Sequence, residues 1–201
     1  MVKSILHLSD THGYHNQLND LPNTDLIIHS GDISFAGTEN EIMDFMEWFF
    51  NLPHKYKIFI AGNHDDGLFG ANIEGLPENC FYLCNSGITI ENIKLYGIPM
   101  FMEDVLSGKY TKQIASIPSN IDVLVSHQPP YCVLDSSANI NYGSSDLLQA
   151  ILRIQPKYHL FGHIHDAVGI EYTEKTTFVN AAQLDEKYKL NYVPFLLKIE
   201  R

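Results

Sequence analysis

Five short apolar runs in this chain end abruptly in the same small set of polar residues. Residues 4–8 lead into Ser9-Asp10-Thr11-His12, and residues 25–30 into Gly31-Asp32. Residues 57–61 lead into Gly62-Asn63-His64-Asp65, residues 121–125 into Ser126-His127, and residues 158–161 into Gly162-His163-Ile164-His165. Apolar runs of this length, bounded by turn residues, read as buried strands. In α/β sheets the loops beyond the carboxyl ends of such strands converge on one crevice. The chain must therefore fold so that five strand ends meet, with the glycines at 31, 62 and 162 permitting tight turns there.

The intervening segments supply the rest of the pattern. Thr38 and Glu41 form a capping box, in which each satisfies a free backbone N–H at a helix start. Ile42, Phe45, Met46, Phe49 and Phe50 then share one face of a helix that Pro53 ends. This β-α-β-α-β order predicts parallel strands covered by helices. The middle changes character: residues 81–83, 87–90 and 94–98 are short strand-like runs split by turns, which predicts a mixed or antiparallel section. A second capped helix follows Ser144, with Leu147, Leu148, Ile151 and Leu152 expected inward. Further strands are expected near 158–161, 169–172, 176–179 and 195–199. The expected fold is α/β: a four-layer αββα sandwich of two mixed sheets flanked by helices. It forms a single domain over residues 1–201, because no repeat or Pro/Ser-rich linker interrupts it.

Charge and cysteine usage narrow the function. With 24 acidic residues against 13 Lys and Arg, the chain has a formal charge of -11. That argues against nucleic acid as a partner, because Lys and Arg must replace condensed counterions along its backbone. A small anionic substrate needs something else to attract it, and bound metal ions would serve. Three cysteines, Cys80, Cys84 and Cys132, are an odd and sparse set, expected as reduced and mostly buried thiols. No run of 18 apolar residues predicts a membrane span, and the start has too short an apolar stretch for a signal peptide. A cytoplasmic location is the expectation.

The chemistry lies in the strand-end clusters. Carboxylate, imidazole and amide oxygen together suit a borderline divalent metal such as Mn, Fe, Zn, Ni or Co. In extended Asp10-x-His12 and His163-x-His165 the alternate side chains share a face. Asp10, His12, Asp32, Asn63, His127, His163 and His165 are too many ligands for one tetrahedral ion, but suit two ions that share a carboxylate. Such a pair activates water and neutralises charge in phosphoester cleavage.

All five blocks, in this order from Asp10 to His165, resemble the calcineurin-like metallophosphoesterases. The resemblance implies that Asp10, His12, Asp32 and His165 hold a first ion. Asp32, Asn63, His127 and His163 would hold a second, with Asp32 bridging. His64 would be a catalytic histidine outside the ligand set, oriented by Asp65. The family fold implied is a two-sheet sandwich flanked by helices. Protein Ser/Thr phosphatases of the family carry an arginine soon after the bridging aspartate and a Gly-Asn-His-Glu block. Here residues 33–37 contain no arginine and the block ends in Asp65, which weighs against protein dephosphorylation. Residues 30–41, 126–131 and 157–166 look like the small metallophosphoesterase-domain-containing group, which includes nucleotide phosphodiesterases.

The implied activity is hydrolysis of small, nucleotide-like phosphodiesters. A hydroxide bridging two divalent ions (Mn first) would attack, and His64 would serve as general acid. The alternatives are a phosphomonoesterase and a protein-interaction scaffold of the same fold. Scaffold members tend to lack the catalytic histidines, whereas this chain retains them. Asn63, Gln128, Phe35, Phe101 and Tyr131 are candidate substrate contacts, the aromatics by stacking on a nucleobase. His7 and His29 are expected to be packed core residues and His54 a solvated one, while His15 is expected either at the surface or touching substrate. Asp104 and Asp135 are expected to be solvated or capping, and residues 100–108 are a lid candidate.

Overall fold

The computed structural model describes residues 2 and 4–199; residues 1, 3, 200 and 201, part of the expected domain, lie outside the described residues. In chain order its regular elements begin with β1 (Ser4–Leu8), β2 (Leu26–His29), α1 (Glu39–Asn51), β3 (Tyr56–Phe59) and β4 (Cys80–Tyr82). The middle holds β5 (Ser86–Ile90), β6 (Ile93–Ile98), α2 (Met102–Leu106), α3 (Lys109–Ala115) and β7 (Val123–Ser126). There follow β8 (Ser136–Ser137), β9 (Ile140–Asn141), α4 (Ser145–Ile154) and β10 (Tyr158–Phe161). The chain ends with β11 (Gly169–Tyr172), β12 (Thr177–Asn180) and β13 (Phe195–Lys198).

Two mixed sheets form. The first has strand order β13-β1-β2-β3-β4, and the second β11-β12-β10-β7-β6-β5. In each the site-bearing strands are parallel; antiparallel β13 closes one edge of the first sheet and parallel β4 the other, whereas antiparallel β11 and β5 close both edges of the second. β8 and β9 pair separately as a small hairpin. Alternation along each strand assigns the layers. Ile5, Ile28, Ile58, Val125, Leu160 and Val179 point between the sheets into one core. Leu6, Ile27 and Phe59 point the other way, onto Ile42, Phe45 and Phe49 of α1. Leu124, Phe161 and Phe178 meet α3 and α4 on the far side. This is the αββα sandwich.

Helix ends follow local chemistry. The Thr38–Glu41 capping box is present, with Thr38 N donating to Glu41 Oε2 at 3.0 Å. Ser144 Oγ accepts from Leu147 N at the start of α4. The inward face of α4 differs from the sequence expectation: Leu147, Ala150, Ile151 and Ile154 are buried, whereas Leu152 is 59% exposed. The i, i+3, i+4, i+7 stripe starting at Leu147 passes through small Ala150, which composition alone disguises. The lid candidate is anchored at a few positions while Met102 and Leu106 stay exposed. Met100 and Phe101 are buried, Asp104 is buried against Lys109 and Gln113, and α2 turns through Gly108 into α3.

The two sheets are joined at the end where the clusters lie. Ser9 N, just past β1, donates to Ala181 O at 2.9 Å, and Gln183 N returns a bond to Ser9 O at 3.0 Å. Strand ends of both sheets therefore open onto a common rim.

Candidate metal centre

At that rim the seven expected ligands come together. His12, His165 and Asp10 offer one group of donor atoms, and Asp32, His127 and His163 a second, each within 4.8 Å of one another. Asp32 links them: its Oδ2 lies 3.5 Å from His12 Nε2 and 3.3 Å from His127 Nε2. On the first side His165 Nε2 is 3.4 Å from Asp10 Oδ1. On the second, Asn63 Oδ1 is 3.0 Å from His127 Nε2. His64 falls within the same 4.8 Å of His12 and Asp32.

Backbone carbonyls set the ring orientations. His12 Nδ1 faces Ser34 O at 3.1 Å, His127 Nδ1 faces Ser30 O at 3.0 Å, and His165 Nδ1 faces Asp185 O at 3.0 Å. A ring that donates Nδ1–H outward presents the lone pair of Nε2 to the centre, which is how metal-ligating imidazoles are held. His12 Nε2 is buried without a hydrogen-bond partner. Convergent Nε2 lone pairs, two carboxylates and an amide oxygen fit divalent cations of the borderline class. The donor set thus passes a test of chemistry as well as of position.

The electrostatics are those of a closely coupled cluster. Burial works to raise Asp10, but the His165 hydrogen bond and the charges of His127, His165 and His12 hold it far below the carboxylate range. Asp32, against the same burial, is held to about 2 by His127. Burial would lower His127, yet Asp32 and Asp10 push it up to about 9. His163 is pushed down to about 4 by burial and by its neighbour His127. Strain collects here as well. Asp10, His12, Asp32 and His163 all have φ between 42° and 73°, a left-handed region sparse for residues with a Cβ. Each such residue costs about 1–3 kcal/mol, and non-glycine strain of this kind gathers at functional sites.

The glycines have a second role beyond turning. A Cβ on Gly62 would lie 2.1 Å from Asp32 Oδ1, and one on Gly162 would lie 2.0 Å from Asp10 Oδ2. Neither has a positive φ, so close approach of a carboxylate, rather than turn geometry, requires glycine there. Gly31 needs both, with φ +102° and His127 Nδ1 2.7 Å from the built Cβ.

Several expectations are corrected. Asp65 does not hold the His64 ring; His64 Nδ1 lies 2.8 Å from Phe35 O instead. The fully buried Asp65 carboxylate accepts from the backbone N–H groups of Gly62, Ile33 and Ser34 and lies 2.6 Å from Ser34 Oγ. It therefore ties the Asp32 loop to the Asn63–His64 loop. Burial and the charge of Asp32 push it up to about 6. Phe101 is 2% exposed, packed edge-on to Phe69, so it is a core residue and not a stacking surface. Phe35, 54% exposed, lies 6.1 Å from His64 between ring centroids, and Tyr131 is also exposed. Gln128 directs its amide to Tyr142 O at 3.3 Å.

His15 is buried beside Trp48, with Nε2 3.1 Å from Asp44, and His54 is buried beside Thr24. Buried Asp135 accepts from Cys132 N, Gly143 N and Asn141 Nδ2, which orders the loop after β7. Cys80 is buried, but Cys84 and Cys132 are exposed; all three are free thiols. Missed from the sequence is Tyr188, whose ring lies 5.1 Å from His12, 5.2 Å from His165 and 5.7 Å from Phe35. Its only sequence signal is a single aromatic within a charged turn.

Comparison with known proteins bears on this arrangement. The model of the calcineurin-like phosphoesterase family matches residues 3–167. The chain belongs to that family. Among its relatives, UPF0046 protein C25E10.12 of Caenorhabditis elegans is 35% identical, over 96% of this chain and 79% of the relative. Metallophosphoesterase domain-containing protein 1 of Homo sapiens is 30% identical, over 96% of this chain and 69% of its own length. The small metallophosphoesterase-domain-containing group is thus the family branch this chain resembles. The protein TT1561 of Thermus thermophilus shares the fold, with a TM-score of 0.59 at 13% identity over 90% of this chain and 89% of that one. The chain is accordingly a phosphoesterase by family, with a donor set suited to divalent metals. Among the described residues no helix is long and apolar enough to cross a membrane.

Proposed function

We propose that this chain hydrolyses small phosphodiesters of nucleotide size, using two divalent metal ions, manganese foremost. The observation that carries the reading is the position of Asp32 between two groups of imidazole and carboxylate donors. When bound there, the two ions would lower the pKa of a water and neutralise phosphoryl charge. Asp10, His12, Asp32 and His165 would hold the first, and Asp32, Asn63, His127 and His163 the second. A site with its full complement of histidines weighs against a scaffold role. A cytoplasmic setting belongs to the same proposal.

The chain's own groups would do the rest. His64 keeps Nδ1–H on Phe35 O, which leaves Nε2 free to give a proton to the departing oxygen. Proton donation by a positioned imidazole contributes about 10²–10⁴-fold where general acid catalysis operates. Asp65 would act at one remove, by fixing the loop that carries His64 relative to Asp32. The amide N–H of Asn63 would face a phosphoryl oxygen.

The deciding experiment is a panel of bis-p-nitrophenyl phosphate, p-nitrophenyl phosphate, cyclic nucleotides and nucleoside monophosphates. Each is assayed with Mn, Ni, Co, Zn and Mg after chelation. Diester turnover lost to chelator and restored by one metal supports the reading. Turnover of monoesters alone would replace it with a phosphomonoesterase, and no turnover with any metal would favour the scaffold. His64→Ala should slow alkyl diesters far more than p-nitrophenyl esters, whose leaving group needs little protonation; equal losses would remove the general-acid role.

A further inference from the structure

Two cavities flank the ligand cluster, and they share no lining residue. One, of about 270 Å³, opens on His163 and His165 between Tyr142 and Tyr188, with Asp166 and Glu186 at its edge. The other, of about 460 Å³, opens on His12 beside Phe35 and Gln17. Tyr188 stands between them, its ring against His12, His165 and Phe35 together.

The loop that carries Tyr188 is built to hold it there. Leu184 and Leu190 pair across its base, and the Asp185 carboxylate accepts from Lys187 N at 2.9 Å and Lys189 N at 3.0 Å. Tyr188 N donates to Asp185 O at 2.9 Å, the same carbonyl that faces His165 Nδ1. Tyr188 itself has φ +55°, a conformation a bulky residue rarely adopts. This turn lies beyond residues 3–167, the stretch that the family model matches.

We propose that Tyr188 is a specificity-determining residue that divides the approach to the metal centre into two ester-arm subsites. The inference rests on the phosphoesterase reading above and deepens it. The leaving arm lies on the Phe35 side, where His64 stands 6.1 Å from Phe35. The retained arm lies between Tyr142 and Tyr188. The lining of that cavity includes no Lys or Arg; its carboxylates Asp166 and Glu186 disfavour an anion, with the exposed Lys187 ammonium 3.9 Å from Glu186 offsetting only part of that charge. The substrate class is therefore a diester whose retained arm carries an aromatic ring to stack on tyrosine and no second phosphate.

The test measures binding and turnover on manganese-loaded protein. Calorimetry with diphenyl phosphate and phenyl phosphate should show that Tyr188→Ala weakens the diester about 10-fold, the loss of one ring stack. Phenyl phosphate should change less than about twofold, and Tyr188→Phe should resemble the wild type in both. In turnover Tyr188→Ala should raise KM for bis-p-nitrophenyl phosphate with kcat nearly unchanged, at unaltered metal content. The p-nitrophenyl ester of thymidine 5′-phosphate should be a better substrate than its 3′-phosphorylated counterpart, and Glu186→Gln should narrow the gap. Equal weakening of both calorimetric ligands, or a Phe variant as impaired as Ala, would overturn the proposal. So would wild-type protein that binds the two alike. Wild type that binds diphenyl phosphate through Tyr188 but cleaves no ester would sink the hydrolase reading while leaving the subsite standing.

Discussion

Single atoms decide whether this centre can form. Asp32 and Asp10 sit where glycines 62 and 162 leave room, so one added methyl is an attack on the ligand set from behind. Gly62→Ala and Gly162→Ala should each lower bound metal at least about 10-fold, the equivalent of about 1.4 kcal/mol. Elemental analysis of the purified variants would read this directly, and full occupancy would show that the neighbouring loop yields at little cost. The candidate ligands were legible from the strand-end blocks, because Asp, His and Asn carry their chemistry in their names. The acceptors that fix the rings were not. Ser30, Ser34, Phe35 and Asp185 act through backbone carbonyls, and a carbonyl looks the same in every residue.

One element, α1, reaches further than its packing. Its capping-box residue Glu41, one turn inside the Thr38 cap, accepts from Thr38 N and also, through Oε1, from Phe35 N and Ala36 N at 3.2 Å. Phe35 O in turn faces the His64 ring, so a helix cap and a proposed acid share one short path of bonds. Glu41→Ala should cost about 1 kcal/mol in stability, read from the urea midpoint. It should also slow alkyl diesters more than p-nitrophenyl esters, while leaving metal content intact. Loss of both classes alike would mean the loop holds its shape without the cap. The capping box was readable as Thr-x-x-Glu and the strands as apolar runs, since period and capping are local properties. The short helices α2 and α3 were not anticipated, because five and seven residues give no periodicity to read. Nor was the burial of Asp104, which is held by Lys109 and Gln113 of the unanticipated α3, or of His54, whose partner Thr24 is 30 positions away.

At the scale of the molecule, three fully buried histidines make the fold sensitive to acid. His7 meets Ser30 Oγ, His29 meets Thr11 Oγ1 and His159 meets Ser126 Oγ, and each has its Nδ1 unpaired. Burial pushes each down to about 3. An unfolded chain binds these protons below about pH 6.5, whereas the folded one does not until about pH 3. Stability therefore falls as pH drops through that window, by about 1.4 kcal/mol per unit for each histidine. His127, raised to about 9, and Asp65, raised to about 6, run the other way; the contribution of the first is already complete below its unfolded value, and that of the second offsets part of the fall below about pH 6. Urea midpoints of chelated protein from about pH 7.5 to 5 should decline steeply, and His159→Gln should flatten the slope; a level profile would refute the account. The sandwich itself was foreseeable from the order of runs. How its halves meet was not, because pairing such as Ser9 with Ala182 spans nearly the whole chain. That meeting has a consequence for how the molecule comes apart. Asp10, Asp32 and Asn63 hang from one sheet, and His127, His163 and His165 from the other. Any cation seated among them is a rivet through both plates, and drawing it out should let the plates slide before either one frays.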